Sequence, residues 1–191
     1  MALRESRMMP LGATAPEFAL ADVRDGRLVR SGDSPGSPLL VAFICNHCPF
    51  VKHVLDSFVA FANEYQAKGL AVVAISSNDV AAYPQDGPQA MAELAREAGF
   101  KFPYLYDESQ QVALAYQNIC TPEFFLFDRQ RKLAYRGRFD AARPQQPTPV
   151  TGADLRAAAD AVLQNKPVPA EQQPSMGCSV KWKAGIEPSW A

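Results

Sequence analysis

The chain has no apolar stretch near the roughly 20 residues that cross a bilayer; its longest strongly apolar run is Pro38 to Cys45. Its N-terminus, MALRESRMMP, lacks the continuous apolar segment of a secretory signal, because Arg4, Glu5 and Arg7 interrupt it. The expected setting is therefore the cytoplasm. Net charge is almost absent: 19 basic against 20 acidic residues give -1, which leaves no basic field to attract nucleic acid or an anionic membrane. There is no repeat of solenoid or propeller period. Neither Gly-x-x-x-x-Gly-Lys nor Gly-x-Gly-x-x-Gly occurs, so no nucleotide cofactor is implied and none of another kind is expected.

What is present is an ordinary globular composition, with 48% hydrophobic and 20% charged residues in 191. Against roughly 150 residues per domain, this predicts one domain with extensions. A chain of this size buries roughly 70% of its unfolded surface and can build a core without staples. The four cysteines need another explanation.

The order of elements predicts an α/β fold. Glu17–Leu20 and Leu28–Arg30 flank Asp25-Gly26, the turn chemistry of an N-terminal hairpin. Leu39–Ile44 is a continuous apolar run, as in a strand buried on both faces at the sheet centre. From Pro49 to Lys68, Val51, Val54, Leu55, Phe58, Val59, Phe61, Ala62 and Tyr65 recur at helical spacing, and Gly69 closes the pattern. Leu70–Ser76 is a second buried strand, so a parallel crossover follows. Further on, helices are predicted at Pro88–Ala98, Ser109–Tyr116 and 153–164, and strands at Tyr104–Tyr106, Glu123–Phe127 and Lys132–Phe139. Seven of the sixteen prolines fall between Arg143 and Ala191, so outside its helix that stretch should be extended and irregular. It carries both tryptophans, Trp182 and Trp190, which favours a tail docked on the domain. The predicted division is a domain over 10–166 and a C-terminal tail over 167–191.

The sharpest feature is Cys45-Asn46-His47-Cys48-Pro49, where the central strand ends and a long helix begins. A thiol there faces unpaired backbone N–H groups and the positive end of the helix macrodipole, which favour its thiolate. Cys45, expected at the exposed end of the pair, is the candidate nucleophile, and Cys48 can attack a mixed disulfide on Cys45 and release the product. His47, when protonated, would stabilise the thiolate further. A zinc site would need two further ligands, drawn from Cys120, Cys178, His47 and His53, and no second Cys-x-x-Cys exists. Pro49 stands where a covalent haem site needs histidine. Lys52 and His53 read as solvated helix-face residues.

Gly12-Ala-Thr-Ala-Pro16-Glu-Phe18-Ala-Leu20, the Cys45–Pro49 motif with Phe50-Val51-Lys52-His53, Ser76-Ser77-Asn78-Asp79 and Thr121-Pro122-Glu-Phe-Phe together carry a resemblance. The chain resembles the thioredoxin-like superfamily, and within it the peroxiredoxin-like branch of the AhpC/TSA (redoxin) family. Gly177-Cys178-Ser-Val-Lys181-Trp182 is similar to a recurring motif of that branch. The resemblance spans residues 10 to 183. It implies a thioredoxin-like fold, a central mixed sheet flanked by helices. It also makes Pro122 a cis-proline beside the dithiol, with Thr121, Pro122 and Asn46 as substrate-binding residues. Cys178 and Cys120 are candidate resolving cysteines, each with the alternative of a buried structural residue. Three departures from these patterns stand out. The Pro-x-x-x-Thr-x-x-Cys arrangement of a peroxiredoxin is absent, since Cys45 and Val41 precede Cys48, and Ala42 and Pro38 precede Cys45, at those offsets. No arginine lies between Arg96 and Arg129, and Leu39–Ile44 lacks the buried aspartate of an ordinary thioredoxin.

These features lead to a thiol-disulfide oxidoreductase of cellular redox homeostasis, acting on protein or small-molecule thiols and disulfides, with electrons from a dithiol reductant. Peroxides are substrates only under the rival reading of a thiol peroxidase. A third reading is a redox-responsive or zinc-bound binding module.

Overall fold

The computed structural model describes residues 3–191. Strands β1 (Leu3–Glu5), β2 (Ala19–Ala21), β3 (Leu28–Arg30) and β4 (Leu39–Phe43) lead into helix α1 (Pro49–Ala67). Strand β5 (Ala71–Ser76), helix α2 (Pro88–Glu97), strand β6 (Tyr104–Tyr106) and helix α3 (Gln111–Ala115) follow. The chain continues through β7 (Cys120–Thr121), β8 (Glu123–Phe127), β9 (Leu133–Gly137), α4 (Ala153–Leu163) and β10 (Met176–Ser179).

The main sheet has the order β6-β5-β4-β8-β9. Its β4·β5 and β5·β6 pairs are parallel, and its β4·β8 and β8·β9 pairs are antiparallel. Every residue of β4 is buried, because its alternating side chains enter two different cores. Leu40 and Ala42 join the aromatic core under α1, α2 and α4, in which the Phe58 ring meets Phe102 at 5.6 Å and Phe124 at 5.3 Å. Leu39, Val41 and Phe43 face the N-terminal segment and α3, with Phe43 edge-on to Tyr116 at 5.4 Å. Covering both faces of the central strand leaves its carboxyl end as the edge where side chains can gather.

Two elements differ from the sequence reading. Helix α3 begins at Gln111 instead of Ser109, because Gln110 takes φ 61° and a left-handed residue cannot continue a right-handed helix. The proline-rich tail holds an ordered strand. β10 lies between β1 and β7, antiparallel to both, with Cys178 opposite Thr121 on one side and Leu3 on the other. Trp182 packs against the second core and meets Trp190 edge-on at 6.2 Å, while the Arg7 guanidinium lies 5.0 Å from the Trp190 ring centre. No helix among the described residues is long and apolar enough to cross a membrane.

Candidate active site

Strand β4 ends at Phe43, and Ile44 continues it far enough to donate its N–H to Ile75 at 3.0 Å. The chain then turns through Cys45, Asn46 and His47 and enters α1 with Cys48 at the N-cap and Pro49 in the first turn. Proline suits that position, since its missing N–H would have no helical partner. Cys48 offers no hydroxyl or carboxylate to cap the helix, so the free N–H groups of the first turn are left for sulfur.

Three thiols meet here. Cys48 Sγ lies 2.8 Å from Cys178 Sγ, and Cys45 Sγ lies 3.4 Å from the Thr121 hydroxyl. When protonated, Cys48 donates to the Thr121 carbonyl at 3.2 Å. Cys45, Cys48 and Cys178 are 1%, 0% and 4% exposed. The expectation that Cys45 stands at the exposed end of the pair is therefore corrected: it is buried against Thr121 of β7 and the His47 ring that Asp86 holds. Cys48 is held well below the ordinary thiol range, first by the Cys178 thiol, then by the Cys45 thiol, with help from the backbone N–H groups of Val51 and Cys178. Cys45 is pushed up by Cys48, by burial and by the Asp86 charge, against the Thr121 hydroxyl. Cys178 is pushed up by Cys48 and by burial, opposed by Lys181 and the Phe50 N–H. These directions favour ionisation of Cys48, the sulfur at the helix N-cap, over Cys45.

His47 has a partner that was not foreseen. Asp86, fully buried in the 3-10 turn Pro84–Asp86, accepts the His47 ring Nδ1–H at 2.5 Å. It also accepts the N–H groups of Asn46 at 2.8 Å and His47 at 3.1 Å, and Asn78 Nδ2–H at 2.9 Å. One carboxylate therefore fixes the whole Cys-x-x-Cys turn. It also alters the electrostatics expected of His47: any positive charge on the ring is offset by Asp86, and Cys45 lies 3.9 Å from Nδ1 without a net cation to lower it. His47 stacks on Tyr83 at 5.0 Å, and its Nε2 has no hydrogen-bond partner among the described residues.

Asn46 accepts a hydrogen bond from the Tyr104 hydroxyl at 3.1 Å, so its side chain points to the β6 side of the turn. The Thr121–Pro122 peptide is cis. The edge of β7 is occupied by β10, and a Cβ built on Gly177 would collide with the Thr121 carbonyl oxygen. Cys120 is completely buried in β7, with its thiol pushed up by burial and by Glu123. Among the described residues it makes no hydrogen bond to the other three sulfurs. Lys52 is exposed on α1 and His53 is half-buried.

Four polar residues around the site have roles that the sequence does not assign, two of them, Asn78 and Glu123, inside motifs quoted above. Asp86 lies 40 positions from Asn46 in a segment with no periodicity. Asn78 bridges Asp86 to the tail by accepting the Lys181 N–H at 2.9 Å. Gln110 clamps the same tail by donating to the Lys181 carbonyl at 2.8 Å and accepting from Lys183 N–H at 2.8 Å. Glu123 is a fully buried carboxyl that burial raises to about 7 against hydrogen bonds from Asn118 and the Ile119 N–H. Donor atoms of Cys45, His47 and Asp86 lie within 4.8 Å of one another, a three-ligand set for a soft divalent metal. Ligating a metal there would cost the His47–Asp86 hydrogen bond.

Residues 11–136 match the AhpC/TSA family. The chain belongs to the AhpC/TSA family. An uncharacterized conserved protein of Geobacillus kaustophilus superposes on this AhpC/TSA protein with a TM-score of 0.95. The two are 52% identical, over 97% of this chain and 99% of that one. The thiol-disulfide oxidoreductase ResA of Geobacillus thermodenitrificans is 27% identical over 129 residues, 68% of this chain and 70% of ResA. The thioredoxin domain of a thiol-disulfide oxidoreductase from Bacteroides vulgatus shares the fold, with a TM-score of 0.57 at 17% identity over 78% of this chain and 96% of that one. The fold of this AhpC/TSA member is thioredoxin-like.

Proposed function

We propose that the protein is a thiol-disulfide oxidoreductase whose Cys45 and Cys48 carry two electrons to protein or small-molecule disulfides. The observation that carries the proposal is the placement of the Cys45/Cys48 pair at the N-terminus of α1, with Cys48 at the N-cap and Cys45 Sγ 3.4 Å from the Thr121 hydroxyl beside the cis Thr121–Pro122 peptide. The 27% identity to ResA, itself named a thiol-disulfide oxidoreductase, supports the same chemistry.

Cys48 is the middle sulfur, flanked by Cys45 and Cys178, so Cys45 is the end of the dithiol left to meet a substrate. In the first step Cys45 sulfur bonds to one sulfur of the substrate disulfide while its proton passes to Cys48. The first substrate thiolate leaves. Cys48 then attacks Cys45, closes the Cys45–Cys48 disulfide and releases the second thiolate. The reduced pair carries one proton, which Cys48 takes from Cys45 and gives up again to one released sulfur as it attacks; the other sulfur leaves as a thiolate and is protonated from water. His47, held by Asp86, lies with its Nδ1 3.9 Å from Cys45 Sγ and would act as the proton carrier for the departing thiolate. In the cytoplasm, cellular dithiols would restore the reduced form.

Glutathione disulfide tests the assignment. The Cys48→Ser protein should accumulate one glutathione adduct on Cys45, and both Cys45→Ser and Cys48→Ser should lose reduction of insulin disulfides. Adduct formation on Cys178 alone would overturn the assignment.

A peroxidase reading has one observation in its favour, the Thr121 hydroxyl 3.4 Å from Cys45, which could serve in place of the threonine the motif lacks. Stopped-flow reaction of the reduced protein with hydrogen peroxide separates the two. A rate like that of a free thiol is expected. A rate orders of magnitude faster, with sulfenic acid mapped to Cys45 or Cys48, would make peroxide the substrate.

A further inference from the structure

Strand β10 occupies the open edge of β7 as an antiparallel partner, with Cys178 opposite Thr121 and the Val180 N–H donating to the Ile119 carbonyl at 3.0 Å. Only glycine fits at 177, because any side chain would overlap the Thr121 carbonyl. The approach brings Cys178 Sγ to 2.8 Å from Cys48 Sγ. Farther along, the tail is clamped by Asn78, Gln110 and the Asp79 N–H, which donates to the Lys181 carbonyl at 2.8 Å. The contact is therefore built by strand pairing at the cysteine and a polar clamp just C-terminal to it. A buried small hydrophobe would need neither a second sulfur nor the helix N-terminus beside it.

We propose that Cys178 is a third redox thiol, which attacks Cys48 in the Cys45–Cys48 disulfide and transfers the bond to Cys48–Cys178. The proposal rests on the dithiol reading above and extends it. The step needs no outside oxidant or reductant. Cys178 loses its proton and its sulfur bonds to Cys48; the Cys45–Cys48 bond breaks, and Cys45 leaves as a thiolate that takes up one proton. One disulfide is exchanged for another, and no net electrons move.

The surroundings favour this order. In the reduced cluster the Cys48 anion is the main reason Cys178 stays protonated. Once Cys48 is in a disulfide that charge is gone; burial still opposes ionisation of Cys178, while the Lys181 charge and the Phe50 N–H at the start of α1 favour its thiolate. The Thr121 hydroxyl, 3.4 Å away, can donate to the leaving Cys45 sulfur, against the burial and the Asp86 charge that oppose its ionisation. The product leaves Cys45 free while the oxidised pair ties β10 to the head of α1. A relay of this kind would free Cys45 before the reductant arrives.

The test is time-resolved oxidation of the full-length reduced protein by diamide, a two-electron thiol oxidant. Samples are quenched in acid, alkylated, and digested without reduction for disulfide mapping. Cys45–Cys48 peptides should appear first and Cys48–Cys178 peptides later in the wild-type protein. Cys178→Ala should abolish the second species and keep the first. Cys45→Ser should form Cys48–Cys178 directly. If wild-type protein forms Cys45–Cys48 but never Cys48–Cys178, and a natively folded Cys45→Ser protein forms no disulfide, the relay is wrong while the dithiol stands. Absence of Cys45–Cys48 from both wild-type and Cys178→Ala protein would instead refute the dithiol reading.

Discussion

Gly177 lies against the Thr121 carbonyl with no room for a Cβ between them, and this one close approach lets the tail strand reach the dithiol. Backbone yields less than a side chain, so Gly177→Ala must push β10 away from β7. The expected cost is about 1–3 kcal/mol, that of overpacking a tight interior. Gly32→Ala is the control, because nothing lies within 4 Å of its built Cβ. Denaturant unfolding of both variants should show a lower midpoint for Gly177→Ala alone.

Asp86 joins the Cys-x-x-Cys turn to the β5 end by accepting from Asn46, His47 and Asn78. Asp86→Ala should destabilise the protein by about 1–3 kcal/mol or more, the cost of leaving buried donors without an acceptor. Asp86→Asn removes the charge and keeps the shape. Because the Asp86 charge helps raise Cys45, thiol titration of Asp86→Asn should show Cys45 ionising at lower pH than in the wild type. An unchanged Cys45 titration would remove Asp86 from the electrostatics of the dithiol.

The chain's central architecture was legible because it is written in contiguous residues. Leu39–Phe43 reads as a strand buried on both faces, and the helical spacing from Val51 to Tyr65 leads to Gly69. The dithiol was legible for the same reason: four consecutive residues place it at a strand-to-helix junction. The exposure of Cys45 could not be read, since Thr121 and Asp86, which closes the turn over His47, reach it from 76 and about 40 positions away. Asp86 sits in a Pro-Gln-Asp-Gly segment that has the signature of a turn and nothing more. Strands β1 and β10 are short, and each is defined by its partner across more than 160 positions, as in the Ser6 N–H to Ser175 carbonyl bond of 2.9 Å. Local pattern does not encode such pairings.

Glu123 predicts a pH dependence of stability. Its ordinary carboxyl value is 4.5, and burial raises it to about 7 in the folded protein. Between those values the folded chain holds a proton that the unfolded chain has released, so stability is full below 4.5 and falls as pH rises toward 7. The full effect is on the order of 3 kcal/mol. Glu123→Gln should flatten the stability profile across that window, measured by urea unfolding at successive pH values. Equal slopes for wild type and variant would exclude the buried carboxyl as the cause.

Cys48 acts in the opposite direction. A thiol lowered in the folded state contributes stability above its unfolded value, which is lost as pH falls through the folded one. Reduced wild-type protein should keep the ultraviolet absorbance of one thiolate well below the ordinary thiol range. Cys48→Ser should lose it, and Cys178→Ala should shift its titration upward, because the Cys178 thiol is the largest influence holding Cys48 down.

The most direct test of the central claim is equilibration of the Cys178→Ala protein with mixtures of reduced and oxidised glutathione, followed by alkylation and mass mapping. Removing Cys178 isolates the dithiol from the relay. A single two-electron transition that consumes two thiols and yields a Cys45–Cys48 peptide is predicted. Protein that keeps Cys45 and Cys48 reduced at every ratio, or that oxidises elsewhere, would contradict the account.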